Sequence, residues 1–241
     1  AGADTGVAID LLGTNALFSA GSANNGVDLD FSIGKYQTSG ALITGGSVNL
    51  SFGSNGASET DLGGTDVARS IVVQTDGRLV VSGYDGSTDF ALLRYFQDTG
   101  ALDTSFHTDG KQTLDISGND HIYESVILTD GTLLVVGDSG TEFALARYLS
   151  DGNLDPSFHT DGILTTDVTT AADSIKQVVV DAEGRYAVGG TANGDFAMAR
   201  YWSDGTLDTS FATDGTVTAN VAGGDVGSGM TQHPDGGFVV I

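Results

Sequence analysis

TEFALARYLSDGNLDPSFHTDGI, residues Thr141 to Ile163, is one of three near-copies in this chain. TDFALLRYFQDTGALDTSFHTDGK runs from Thr88 to Lys111 and GDFAMARYWSDGTLDTSFATDGT from Gly194 to Thr216. Their Arg-Tyr pairs, Arg94-Tyr95, Arg147-Tyr148 and Arg200-Tyr201, recur at a constant step of 53 residues. A period near fifty residues made of strand-like patterns marks a modular array, most naturally a β-propeller with one sheet per repeat.

Working outward, each copy is preceded by two apolar runs around a turn: IVVQTDGRLVVSG (Ile71 to Gly83), VILTDGTLLVVG (Val126 to Gly137) and QVVVDAEGRYAVGG (Gln177 to Gly190). Asp76-Gly77, Asp130-Gly131, Glu183-Gly184 and Asp235-Gly236 sit between such runs, where glycine accepts the positive φ of a tight hairpin, so these are strands one and two. In Phe143-Ala144-Leu145-Ala146-Arg147-Tyr148 side chains alternate between faces, and both faces are largely apolar, as a sheet covered on both sides requires. A second Asp-Gly turn follows, and a Thr/Val-rich stretch such as 216–221 supplies strand four. No window carries a helical period. AIDLLGTNALFSAG (Ala8 to Gly21) and LDFSIGKYQ (Leu29 to Gln37) form a degenerate first copy, and MTQHPDGGFVVI (Met230 to Ile241) is the opening hairpin of another. The expected architecture is all-β: one propeller domain over 1–241, with four-stranded modules at about 1–62, 63–117, 118–170 and 171–223, and an incomplete one at 224–241.

Composition agrees. Glycine numbers 36 in 241 residues, about twice the usual share of about 7%, which suits frequent turns. Thirty-two acidic side chains against nine basic ones give a net charge of −23. That charge repels phosphate backbones and anionic lipid surfaces, so nucleic-acid binding and membrane insertion are not expected. It fits a protein held in salt water or the collection of hard divalent cations such as calcium, with plain solubility as the alternative. There is no cysteine and no apolar run of transmembrane length. A sequence beginning at Ala1 instead of Met fits a processed N-terminus or an excised fragment, and an exported, trimmed protein is the expectation.

The pattern DG-x-[LY]-x-V-x-G, then DFAxARY, then DG-x-LD-x-SF-x-x-DG resembles the delta-60 repeat, over nearly the whole chain and most tightly from about Val67 to Gly215. The resemblance implies an extracellular β-propeller of bacterial surface and secreted proteins, with no established catalytic residues. The first module departs from it: Lys35 stands where the others carry Arg, and Asn49 where they carry Asp103, Asp155 and Asp208.

That paired departure suggests a function for the repeated charges. An Arg on an apolar strand face needs a partner, since an unpaired buried charge costs about several kcal/mol. Arg94, Arg147 and Arg200 are therefore expected to clamp Asp103, Asp155 and Asp208; a ligand-binding role for the arginines is the alternative. Asp98 and Asp109, Asp151 and Asp161, and Asp204 and Asp214 lie on neighbouring turns of one module each. They are candidate calcium ligands, although Asp before Gly is also an ordinary turn residue.

Catalysis is not expected. His107 and His159 share a module position that is Ala212 in the next copy, and with His121 and His233 they make no zinc spacing. Ser105, Ser157 and Ser210 precede a repeated phenylalanine, and no Gly-x-Ser-x-Gly elbow or phosphate loop occurs. Ser203 to Thr206 lacks the following aromatic of a sialidase Asp-box. The expected function is a non-catalytic structural or adhesive module at a bacterial cell surface, meeting a protein surface or itself through an open sheet edge. The alternative is a carbohydrate-binding propeller with Tyr95, Tyr148, Tyr201 or Trp202 stacking on sugar rings, and behind both stands a polysaccharide-active enzyme.

Overall fold

The computed structural model describes residues 5–12, 16–37, 47–48, 52–54, 56–221, 223–225 and 227–241. The fold is all-β, built of antiparallel propeller-type blades with no helix among the described residues. Among the described residues, therefore, no helix is long and apolar enough to cross a membrane.

The first sheet contains β1 (Thr5–Leu12), β2 (Ala16–Asn24), β3 (Leu29–Gln37), β4 (Ser47–Val48) and β5 (Ala57–Thr60). The second contains β6 (Val67–Val73), β7 (Leu79–Tyr84), β8 (Phe90–Tyr95) and β9 (Lys111–Leu114). The third contains β10 (Asp120–Ile127), β11 (Leu133–Ser139), β12 (Glu142–Tyr148) and β13 (Ile163–Thr166). The fourth contains β14 (Asp173–Val180), β15 (Tyr186–Ala192), β16 (Asp195–Tyr201) and β17 (Thr216–Ala219), and β18 (Met230–Gln232) pairs with β19 (Phe238–Val240) in a separate hairpin. Sheets two to four follow strand order one-two-three-four.

The first sheet differs in having five strands, because both β4 and β5 pair with β3. The difference is one of degree. The Tyr36–Val48 pairing of β4 has counterparts in the single bridges Tyr95–Leu102, Tyr148–Leu154 and Tyr201–Leu207 of the later modules.

Chain contacts gather into two compact units. One comprises the described part of Ala1–Asp115 with Ile127–Thr132 and Ser150–Asn153; the other comprises Ile116–Val126, Leu133–Leu149 and the described part of Leu154–Ile241. Within the first unit, β6 packs across β1, β2 and β3, and Phe18, Phe31, Ile33, Phe52, Leu79 and Tyr95 belong to its buried core. Within the second, β14 packs across β11 and β12, and β18 packs on β14. Met230, Phe238 and Val240 of the last hairpin join Ala187, Met198 and Phe211 in one apolar cluster.

Two sequence features explain why the sheets close so tightly. The third strand is apolar on both faces, and all six residues of β8 and Phe143 to Tyr148 of β12 are buried. The glycine ending DG-x-[LY]-x-V-x-G, at Gly83, Gly137 and Gly190, lies where a Cβ would run into the carbonyl oxygen of Val67, His121 or Ser174 on the paired first strand. Only glycine permits that approach.

Candidate functional site

Each repeated arginine is fixed by its own backbone before its side chain makes any contact. The N–H of Arg147 donates to Gly162 O at 2.9 Å and its carbonyl accepts from Asp155 N at 2.8 Å; Arg94 and Arg200 make the same pair of bonds with Gly110 and Asp103, and with Gly215 and Asp208. The turn after strand three thus folds back to set the Asp beside the Arg. Arg147 Nε donates to Asp155 Oδ2 at 2.8 Å, and Arg200 Nε to Asp208 Oδ2 at 2.7 Å. In the second module Arg78 Nε takes that place on Asp103 Oδ2, and Arg94 reaches the same oxygen through Nη2 at 2.9 Å.

The serine two residues on completes the unit. Ser105, Ser157 and Ser210 each donate backbone N–H and Oγ–H to the other carboxylate oxygen. Burial alone would push Asp103, Asp155 and Asp208 up; the serine donors and the guanidinium groups outweigh it and hold all three below the usual carboxylate range. The repeated phenylalanine lies under the guanidinium, with Arg94, Arg147 and Arg200 at 4.9, 5.0 and 4.8 Å from the ring centres of Phe106, Phe158 and Phe211. The hydroxyls of these serines are thus hydrogen-bonded to a carboxylate.

The clamp also grips the next module. Arg94 Nη1 donates to Ser150 O and Arg147 Nη1 to Ser203 O, both at 2.6 Å. These carbonyls precede the Asp-Gly turns of the following modules, and the turn 150–153 lies in the first unit with Arg94 and Phe106. The residue after the phenylalanine adds a bond: His107 N donates to Asp151 O and His159 N to Asp204 O, both at 2.6 Å. To do so His107 and His159 take φ of 50° and 52°, and Ala212 takes 53° at the same position. The histidines therefore serve a backbone role that their imidazoles do not decide. Gly152 and Gly205 pack face-on, where a Cβ would lie 2.8 Å from the ring of Phe106 or Phe158.

Lys35 performs the same reach in the first module, donating to Gln97 O at 2.9 Å with its ammonium over Phe18 and Phe52. Asn49, its proposed counterpart, lies outside the described residues. The fourth module breaks the series. Among the described residues Arg200 bonds Asp208 alone, and Ala212 N has no acceptor. The Arg200 side chain is 15% exposed, against 8% and 9% for Arg94 and Arg147.

The turn carboxylates cap their own loops. Asp109, Asp151, Asp161, Asp204 and Asp214 each accept the N–H of the residue two positions on. The Asn153 N–H draws Asp151 below its usual range, and the Thr206 hydroxyl and N–H do the same for Asp204. Asp98 is exposed, 4.0 Å from Lys35 Nζ. None of the six falls in a cluster able to hold a metal among the described residues.

Such a cluster does exist elsewhere: Asp30, Asp61 and Asp66 each place one carboxylate oxygen within 4.8 Å of the others. Asp66 belongs to a second repeated set that motif reading missed. Asp66, Asp120, Asp173 and Asp225 follow at steps of 54, 53 and 52 residues, and each accepts backbone N–H groups of the loop four or five residues before it: Leu62, Ile116, Val168 and Val221. An alignment of the modules from their first strands carries that signal.

The tyrosines correct one expectation. Tyr95, Tyr148 and Tyr201 have no exposed surface, so their rings offer no face to a sugar. Tyr95 and Tyr201 donate their hydroxyls to Thr60 and Thr166 at 2.8 Å, whereas the Tyr148 hydroxyl has no partner among the described residues. Burial pushes all three phenols up. Trp202 is 44% exposed, with the Arg185 guanidinium 5.8 Å from its ring centre.

Residues 74–106, 128–158 and 182–211 match the family model of a domain of unknown function (DUF5122) described as a beta-propeller, each matched segment ending on the phenylalanine of the clamp. No curated protein matches the sequence. Among solved structures, a protein from Lactobacillus plantarum superposes with a TM-score of 0.62 at 14% identity, covering 96% of this chain and 62% of that one. Sqt1 from Chaetomium thermophilum gives a TM-score of 0.49 at 16% identity, covering 96% of this chain and 65% of that one. The chain thus spans less than two thirds of either protein, and the first of these likenesses is one of fold alone. Sheets, motif and family model agree that this is a β-propeller repeat protein.

Proposed function

We propose that the chain is a non-catalytic structural or adhesive module of a bacterial extracellular or cell-surface assembly, meeting a protein partner or its own copies through an open blade edge. The observation that carries this reading is how the repeated polar groups are spent. Arg94 and Arg147, with their carboxylates and serines, are consumed in joining one module to the turn of the next. The same donors on the fourth sheet, Arg200 and Ala212 N–H beside the half-buried Phe211, keep capacity for one more such turn. A further module of the same repeat, or a turn from a partner, supplies the matching carbonyl and glycine. Calcium is the ion we assign to the acidic groups of such a module, because carboxylates are hard oxygen ligands.

The test is mass against concentration by light scattering, for the wild type and Arg200→Ala. Self-association that weakens in the variant supports the reading. A monomer at every concentration and no captured surface partner refutes it. One observation favours the carbohydrate alternative. Phe96 and Trp202 occupy the same module position, both are exposed, and each has an arginine near its ring, Arg78 at 5.3 Å and Arg185 at 5.8 Å. An exposed aromatic flanked by a planar donor suits a sugar ring, and a glycan array with Trp202→Ala as control decides between the two.

A further inference from the structure

We propose that Asp30, Asp61 and Asp66 form a binding site for a calcium-class divalent cation in the first unit. The site goes beyond the surface reading above and does not depend on it.

Strand pairing places the first two acids. Phe31 of β3 pairs with Thr60 of β5, so Asp30, just before the one, lies across the ladder from Asp61, just after the other. The third is set by the backbone, because Asp66 N donates to the carbonyl of Leu29 at 2.7 Å, next to Asp30. One oxygen from each carboxylate then lies within 4.8 Å of the others. Calcium takes about 6–8 oxygen ligands at about 2.3–2.6 Å in flexible geometry, and three carboxylate oxygens gathered in one small space suit such an ion.

What points to a ligand is Asp30 itself. It is 5% exposed; its Oδ2 accepts Asn25 Nδ2 at 2.9 Å, and its Oδ1 is buried with no hydrogen-bond partner among the described residues. A buried carboxylate oxygen left bare is costly unless a cation meets it. Nor does an arginine or lysine supply the charge, for none of the three acids forms an ion pair among the described residues. Lys111 donates to the Asp61 carbonyl, at 3.0 Å.

The fourth module shows how the chain neutralises the same position by other means. There Phe196 pairs with Ala219, which sets Asp195 across from residue 220, and Asp225 N donates to Gly194 O at 2.6 Å. Residue 220 is asparagine, and its Nδ2 donates to Asp195 Oδ1 at 2.7 Å. Where the amide replaces one carboxylate, a hydrogen bond relieves the like-charge opposition that would otherwise destabilise a cross-strand pair. The first module keeps all three acids and has no such donor from the opposite strand. Burial, with Asp61 and Asp85 nearby, pushes Asp66 up to about 6 against the pull of the Leu62 and Gly86 amides. Asp28, joined to Asp30 through Asn25, adds negative charge.

The experiment is calorimetric calcium titration of chelator-treated full-length protein in sodium chloride, with Asp30→Asn and Asp61→Asn beside the wild type. Each variant is expected to lose one bound equivalent, and the chelated form of Asp61→Asn to melt no lower than the wild type. Undiminished calcium equivalents in Asp61→Asn, or no binding by the wild type at millimolar calcium, overturns the site. Should Asp30→Asn fail to fold, Asp61→Asn, whose residue is exposed, still decides.

Discussion

Replacing Arg147 with alanine tests the joint between modules. The side chain is nearly buried and holds Asp155 Oδ2, Ser157 Oγ and Ser203 O at 2.8, 2.9 and 2.6 Å. Removing one partner of a buried ion pair costs about 3–5 kcal/mol, because the remaining charge is stranded. Asp155 keeps its two bonds from Ser157, which places the charge component at the low end. The Ser203 carbonyl, losing its guanidinium donor, adds about 1 kcal/mol, for a total of about 3–4 kcal/mol. Arg200→Ala is the internal control. It removes a clamp of the same local geometry that grips no following turn, so we expect it to cost about 1–2 kcal/mol less. Denaturant melts monitored by circular dichroism measure both, and hydrogen exchange at the His159 amide, which donates to Asp204 O, reports on the joint locally. Arg147→Ala should speed that exchange, and Arg200→Ala should leave it unchanged. Equal costs for the two variants, or a loss below about 1 kcal/mol at Arg147, would refute the idea that the guanidinium fastens one module to the next.

Gly205→Ala should cost about 2–4 kcal/mol, combining strain at φ +87° with a Cβ 2.8 Å from Phe158; Gly184→Ala, at φ +79° with open space, should cost about 1 kcal/mol in the same melts. Tyr201→Phe is expected to lose about 1 kcal/mol with its bond to Thr166, whereas Tyr148→Phe removes a hydroxyl without a partner and should be neutral or stabilising. In chelator the two sets of carboxylates act with opposite sign. Asp66, raised to about 6 in the folded chain, favours the folded state below about pH 4 and loses up to about 3 kcal/mol of that contribution as pH rises through about 6. Asp103, Asp155 and Asp208, held low, contribute above about pH 4 and are lost on acidification. Asp66→Asn should therefore flatten the melting curve between pH 4 and 7 while leaving the acid limb in place; an unchanged profile there counts against the buried carboxyl.

Much of the blade is written in single residues. Phe143 to Tyr148 alternate without a polar face except at Arg147, and the strand is accordingly buried on both sides. Asp76-Gly77 and its counterparts mark hairpins because the turn needs a positive φ, and Gly77, Gly131, Gly184 and Gly236 all have it. The pairing of Arg147 with Asp155 is likewise legible, since a charge on an apolar strand must find its opposite. The tyrosines were less so. An aromatic beside an arginine reads first as packing and second as binding surface, and the cover over Tyr95, Tyr148 and Tyr201 separates these.

The sequence by itself determined the period, the strands, the turns and the local ion pairs, because these depend on side-chain type and short-range spacing, which recur in each module. Tertiary structure decided what each clamp holds beyond its own module. Arg147 closes on the carbonyl of Ser203, 56 residues away, and every residue has a carbonyl, so no choice of side chain advertises the contact. It likewise decided that Asp30, Asp61 and Asp66 share one small space: a ladder register and one backbone hydrogen bond bring them together, and distance between charges is a property of the fold, not of their order along the chain.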